Sequence, residues 1–187
     1  MLRPVSALLI IDAQQGLLDG EAAILNARVV VDRITALLAA ARSAGALVVH
    51  LQNDGAPGTM DEPETSGWFI HPKVTPKLGE VVLRKIGDDG FAGTELEIVL
   101  VSKHVTRIAV AGLLSEMCVS ATVRSALKRG IEVVLVQDAH GTYNLDDIPS
   151  SIVSRVAEHA LGDEVELANT ASVTFSQLAG SNAATYR

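Results

Sequence analysis

Short, nearly continuous aliphatic runs alternate with longer segments of helical period along this chain, and that alternation constrains its fold most. Val5 to Ile11, "ALVVHLQ" (46–52), "EVVLRK" (80–85), "RIAVAGLL" (107–114) and "IEVVLVQDA" (131–139) are strand-length and rich in β-branched residues. "DEVELA" (163–168) reads as a sixth strand. A run that is apolar at successive positions is buried on both faces, as in a parallel sheet covered by helices on each side. The intervening segments supply those helices. Between Ala22 and Ala44 the apolar residues Ile24, Leu25, Val29, Val30, Ile34, Leu37, Leu38 and Ala41 recur at helical spacing, and Gly45 stops the helix. "GTELEIVLVSKHV" (93–105) and "SEMCVSATVRSALKRG" (115–130) read the same way, and Pro149 sits at the first position of a helix running to Leu161. The repetition predicts one α/β domain over residues 1–187.

Composition narrows the class further. A chain of 187 residues buries roughly 70% of the surface its unfolded form exposes, so it needs no metal or disulfide staple. Its single cysteine excludes an internal disulfide and fits a reducing compartment, so the expected location is the cytoplasm. The apolar run in "MLRPVSALLIIDAQQG" is too short to span a bilayer and lacks the cleavage site of a signal peptide. A net charge of −7 with scattered lysines and arginines argues against a nucleic acid or an anionic membrane as partner.

Residues 53–79 break the pattern. "NDGAPGTMDEPETSGW" is rich in Gly, Pro, Asp and Glu and follows neither period. An irregular stretch of this length within one domain is expected to be a functional loop or lid, and Trp68, Phe69 and Ile70 need something to cover.

In open parallel sheets, ligands bind beyond the carboxyl ends of the strands. Asp12 ends the first run, Asn53 and Asp54 follow the second, and Lys85 ends the third. Cys118 lies just past the fourth, in the first turn of a helix whose free N–H groups favour an anion. A carboxylate can take a thiol proton and an ammonium can favour the thiolate, so these groups make a workable nucleophile set. Each also has a plainer reading. A lone cysteine among apolar neighbours is commonly a small hydrophobe, Asp12 can end a strand, and Lys85 can be a solvated edge charge. Spacing alone leaves both readings open.

Four segments, in order, carry a family resemblance. "LLIIDAQQG" (8–16) is similar to a first-strand D-x-Q motif, and "VLRKIGDDGFAGTEL" (82–96) to a lysine strand followed by F-x-G-T-x-L. "VAGLLSEMCVSATVRSAL" (110–127) is similar to the nucleophile segment G-V-x-T-x-x-C-V, and "VVLVQDAHGT" (133–142) to the strand after it. Together they resemble the isochorismatase-like cysteine hydrolase superfamily over nearly the whole chain. The resemblance implies a three-layer Rossmann-like fold with a six-stranded parallel sheet, and an Asp–Lys–Cys triad at Asp12, Lys85 and Cys118. It also implies a cis peptide between Leu113 and Leu114, with the Leu114 and Cys118 backbone N–H groups forming an oxyanion hole. The chemistry implied is cleavage of a C–N bond in a small amide or lactam through a thioester on Cys118. No cofactor is expected, and a homo-oligomer, dimer or tetramer, is.

Departures from the family pattern matter. Ser115 stands where Thr is commoner, and Leu114 replaces a smaller residue, an expected narrowing of the pocket. Nicotinamidases of the family hold a metal through Asp-x-His and a later His. Here "HLQNDGAPG" has Asp54 without that histidine, His50 lies within a strand and His71 precedes Pro72, so no metal is expected and nicotinamidase activity loses support. Isochorismatases proper lack the cysteine, so Cys118 argues against vinyl-ether cleavage. The 53–79 loop resembles most the streptothricin hydrolase-like branch, where it helps roof the pocket. Trp68 and Phe91 are then expected as aromatic walls, and Gln14, Asn53 and Glu116 as polar contacts; for Trp68, a core plug under the loop is an equal alternative. A non-catalytic ligand-binding protein on the same fold is the competing class. A redox-sensing thiol is a third, weakened by the absence of a second cysteine.

Overall fold

The aliphatic runs form six strands: β1 (Ala7–Ile11), β2 (Leu47–Asn53), β3 (Val81–Lys85), β4 (Arg107–Leu113), β5 (Glu132–Gly141) and β6 (Val165–Ala168). The computed structural model describes residues 2–178. Every residue of β1 and β4 is buried, and these strands are neighbours at the centre of a sheet ordered β3-β2-β1-β4-β5-β6 and parallel throughout. The chain winds outward from β1 to β3, then returns to the centre as β4 and winds the other way. Winding thus reverses between β1 and β4, the point in an open parallel sheet where ligands bind beyond the carboxyl ends of the strands.

Among the described residues, five helices accompany the sheet: α1 (Gln15–Leu18), α2 (Ala27–Ala44), α3 (Leu96–Ser102), α4 (Ser120–Lys128) and α5 (Ser150–Ala160). Successive strand residues serve opposite faces. Leu8 and Ile10 join Val30, Ile34 and Leu38 of α2 in one apolar layer, while Leu9 and Ile11 join Leu96, Leu100, Val123 and Ala126 of α3 and α4 in the other. This is the three-layer α/β sandwich the resemblance implied. Gly45 closes α2 in the left-handed region, φ +69°, and its N–H reaches the carbonyls of Ala41 and Arg42.

Several boundaries move. Residues 22–26 form a turn rather than the first turn of α2; Ile24 is buried there, but its N–H goes to Leu17. Residues 93–95 are a turn as well, because the Thr94 hydroxyl donates to the Gly90 carbonyl and accepts from the Leu96 N–H. Pro149 caps α5 from one residue outside it. The segment from Ser115 opens as a π turn, Ser115–Val119, before α4. The edge strand β3 alternates in exposure, and its one buried residue is Lys85. Beyond β6, Thr170–Ser172 makes a 3-10 turn and Phe175 pairs in parallel with Val5, so this stretch packs against the start of the sheet.

Residues 54–79 hold no strand and one 3-10 turn, Pro72–Val74. They are nonetheless tied down as a strap across residues 13–16. The Gln15 and Gly16 N–H groups donate to Phe69 and Gly67, the His71 N–H donates to Ala13, and Gln14 bridges Ile70. Among the described residues no helix is long and apolar enough to cross a membrane.

Candidate active site

The reversal point between β1 and β4 is where the chemistry-bearing side chains meet. Asp12 directly follows β1 with φ +48°, a left-handed conformation that Asp tolerates better than most residues, and its N–H bonds the Leu51 carbonyl at 3.0 Å. Beside it, Gly112 of β4 has φ +126°, and a Cβ there would lie 2.0 Å from the Ile11 carbonyl oxygen. Only glycine lets the two central strands approach so closely. The next peptide, Leu113–Leu114, is cis.

Lys85 Nζ lies 2.8 Å from Asp12 Oδ2, 2.9 Å from the Gly87 carbonyl and 3.2 Å from Asn53 Oδ1. It is also 3.3 Å from Cys118 Sγ. An ammonium has three N–H bonds, so these three oxygens and the sulfur share them. Asp12 and Lys85 are each 2% exposed. Asp12 Oδ1 is buried with no hydrogen-bond partner, which leaves one carboxylate oxygen free to take a proton.

Burial decides the resting protonation. Desolvation pushes the Asp12 carboxyl up to about 6, with Lys85 opposing. Burial also pushes the Cys118 thiol well up, reinforced by the Asp12 charge and countered by Lys85. For Lys85, burial works against the charge, but Asp12 and Cys118 outweigh it and the ammonium is held above its ordinary value. The thiol therefore rests protonated. An ammonium at 3.3 Å does not preform the thiolate, and a base must remove the proton as the sulfur attacks. A second carboxylate stands near, with Cys118 Sγ donating to Asp88 Oδ1 at 3.6 Å.

The residues expected to meet a substrate divide. Asn53 is part of the cluster, bonding Lys85 through Oδ1 and donating from Nδ2 to Asp61 at 2.6 Å. Gln14 is fully buried and spent within the chain. Its Nε2 donates to the Asn53 and Trp68 carbonyls and its Oε1 accepts from the Asn53 N–H, so it clamps the strap to β2 instead of facing a ligand. Phe91 is 5% exposed, belongs to the α3–α4 apolar layer and carries the Arg129 guanidinium 4.5 Å above its ring. It is core and not a pocket wall, because the turn after β3 folds inward at Gly90, where a Cβ would meet Leu51 at 2.3 Å. Trp68 is half-buried; its Nε1 donates to Asp54, and Arg84, which also grips Asp54, stacks over it at 5.0 Å. The pair holds the strap against β3.

Glu116 is exposed and lines a cavity of ≈ 520 Å³. Asp88, the Cys118 neighbour, lines it too, together with Met117 and Ala121 of the nucleophile segment, Leu145, Ile148, and Val153 and Ala157 of α5. This apolar space lies between the π turn and α5 and meets the cluster through Asp88, while Asp12, Lys85 and Cys118 are not part of its lining. Sequence reading missed the lining from Leu145, Ile148 and α5, since 145–148 follow no period and α5 gave no sign of which way it faces.

His140 and Thr142 were missed as well. The register of β4 with β5 shifts between Val110 and Gly112, which pair with Leu135 and His140, so β5 bulges there. Beyond the bulge the Thr142 hydroxyl donates to Glu116 at 2.9 Å, and His140 Nδ1 lies 2.8 Å from Ser115 Oγ. Two of the other histidines are engaged elsewhere: His50 Nε2 with Glu80 at 3.1 Å, and His71 Nε2 with Asp19 at 3.3 Å. Among the described residues no group of three or more His, Cys, Asp or Glu is placed to hold a metal ion.

The isochorismatase domain family model matches residues 6–160. A streptothricin hydrolase of Streptomyces noursei is 53% identical over 170 residues, which is 87% of this chain but 62% of that protein, so the chain spans less than two thirds of it. A ureidoacrylate amidohydrolase of Klebsiella pneumoniae is 28% identical over 170 residues, 72% of each chain. Among solved structures, an isochorismatase of Pseudomonas putida KT2440 superposes with a TM-score of 0.86 at 31% identity, covering 92% of this chain and 94% of its own.

Proposed function

Because the chain belongs to the isochorismatase family, we propose that it is a cysteine hydrolase that cleaves the C–N bond of a small amide or lactam. One observation carries this reading: Lys85 Nζ sits between Asp12 Oδ2 at 2.8 Å and Cys118 Sγ at 3.3 Å, beside an unpartnered Asp12 Oδ1. Relatives named as a streptothricin hydrolase and a ureidoacrylate amidohydrolase support the substrate class.

Asp12 is the general base and takes the Cys118 proton as sulfur attacks the carbonyl carbon. The carbonyl oxygen becomes an oxyanion, received by the Leu114 and Cys118 backbone N–H groups; one such donor is worth about 2.7–4 kcal/mol. Asp12, now protonated, gives its proton to the departing nitrogen, the C–N bond breaks and the amine leaves. A carboxyl titrating near 6 suits both halves of that exchange at neutral pH. Asp12 then takes a proton from water, whose oxygen attacks the thioester; the C–S bond breaks, the acid leaves and Asp12 returns the proton to the Cys118 sulfur. Lys85 orients Asp12 and offsets negative charge throughout. The apolar portion of the substrate occupies the cavity between the π turn and α5.

The test incubates the wild-type protein and Cys118→Ala with a panel of amides and lactams, following amine release and intact mass. An acyl adduct on Cys118 and a silent Cys118→Ala variant are expected. A fully active Cys118→Ala protein sinks the mechanism.

A further inference from the structure

Beneath the π turn a chain of polar groups, buried at Ser115 and His140 and half-buried at Ser154 and Glu158, runs from the nucleophile segment to α5. Ser115 Oγ lies 2.8 Å from His140 Nδ1 and 2.9 Å from Ser154 Oγ. On the far side of the ring, His140 Nε2 lies 3.1 Å from Glu158 Oε1, and Gln137 Nε2 donates to Glu158 Oε2 at 3.1 Å. Ser115 is 2% and His140 3% exposed. None of these groups touches the reacting atoms.

The hydrogen bonding of this chain closes without an orphan. Burial alone would raise the Glu158 carboxyl, but hydrogen bonds from His140 and Gln137 hold it below its ordinary value. An ionised carboxylate only accepts, so the proton facing it is on His140 Nε2. His140 Nδ1 and the Ser115 and Ser154 hydroxyls complete the chain, each neighbouring pair within hydrogen-bond distance. The Ser115 carbonyl is fixed as well, accepting from Ser120 Oγ at 2.8 Å. The turn that carries Cys118 is therefore pinned at Ser115 by side chain and main chain together.

We infer that Ser115, His140 and Glu158 are positioning residues that hold the backbone N–H groups of this turn on the developing oxyanion, an inference that rests on Cys118 acting as proposed above. Buried polar chains contribute little net stability compared with aliphatic packing, which serves the rest of this core, but they fix geometry in a way that aliphatic contacts do not. A displacement of about 1 Å at a reacting centre can cost on the order of 100-fold in rate.

The experiment separates oxyanion alignment from thiol reactivity. Acetylation of Cys118 by p-nitrophenyl acetate passes through a tetrahedral oxyanion; alkylation by iodoacetamide displaces iodide and has none. Both rates are measured on the full chain as functions of pH. Ser115→Val, which keeps the shape of Thr but loses the hydroxyl, is expected to slow acetylation about 10- to 100-fold. It should leave alkylation and its pH profile within about twofold of wild type, while Ser115→Thr restores acetylation. Glu158→Ala loosens the relay from α5 without touching the turn and is expected to lower acetylation in the same selective way, which keeps the test decisive if Ser115→Val does not fold. Unchanged acetylation in these variants, or acetylation and alkylation falling together, overturns the inference. A wild-type protein that gains no acetyl group on Cys118 overturns the proposed function as well, and that result is distinct from either.

Discussion

Asp12 is the residue on which the proposed chemistry turns, and its titration gives the first prediction. Its carboxyl is raised from 3.8 to about 6 by burial, so the base is ionised only above that range. Iodoacetamide alkylation of Cys118 should therefore lose rate as pH falls through about 6. Lys85 opposes the effect of burial on Asp12, so Lys85→Met should move this limb to higher pH, and Asp12→Asn should abolish it. A limb that stays in place in Lys85→Met would show that the two groups are uncoupled. The sign for stability is the opposite of a typical salt-bridged carboxylate. The folded chain binds the Asp12 proton more tightly than the unfolded chain, so the contribution of this residue is largest below 3.8 and declines as pH rises through about 6.

The elements show why these side chains arrive together. Asp12 needs the left-handed turn after β1, and the Cys118 turn needs β4 pressed against β1 at Gly112. Gly112→Ala places a methyl group 2.0 Å from the Ile11 carbonyl at φ +126°, and neither backbone has room to yield. A loss of about 3 kcal/mol or more is expected in urea unfolding. A variant of wild-type stability would mean that the strands are not this close. The cavity beside α5 yields a second element-scale expectation. Ala121 lines it from α4 and is half-buried, so Ala121→Phe occupies space proposed for the substrate. KM for an amide or lactam substrate should rise about tenfold, a change of about 1.4 kcal/mol, with iodoacetamide alkylation unaffected. An unchanged KM would place the substrate elsewhere, under the strap held by Gln14 and Trp68.

At the scale of the whole molecule, the strand order explains the location of the site, since only at the β1–β4 reversal do neighbouring strand ends part enough to admit a ligand. Met117, Leu145, Ile148 and Ile152 stand exposed on the side of the π turn and α5. With them in solvent, the dimer or tetramer implied by the family resemblance remains the expectation, and sedimentation should give a multiple of 19.6 kDa; a purely monomeric species rejects it. Much of the molecule was legible in the sequence. Strand runs and helical spacing are local signals: β1, β2 and β4 follow them closely, while α2 and α4 end near where they should and start about five residues late. The strand-end positions of Asp12, Lys85 and Cys118 could be read the same way, because a strand's last residue is marked by where its apolar run stops. Tertiary structure alone decided the rest. Phe91 lies in the core and not on a pocket wall, Gln14 braces a loop and not a ligand, and His140 reaches Ser115 across a bulge that no period announces. Each outcome depends on which distant backbone or side chain satisfies a buried group. That choice is made when the sheet assembles, and periodicity along the chain holds no record of it.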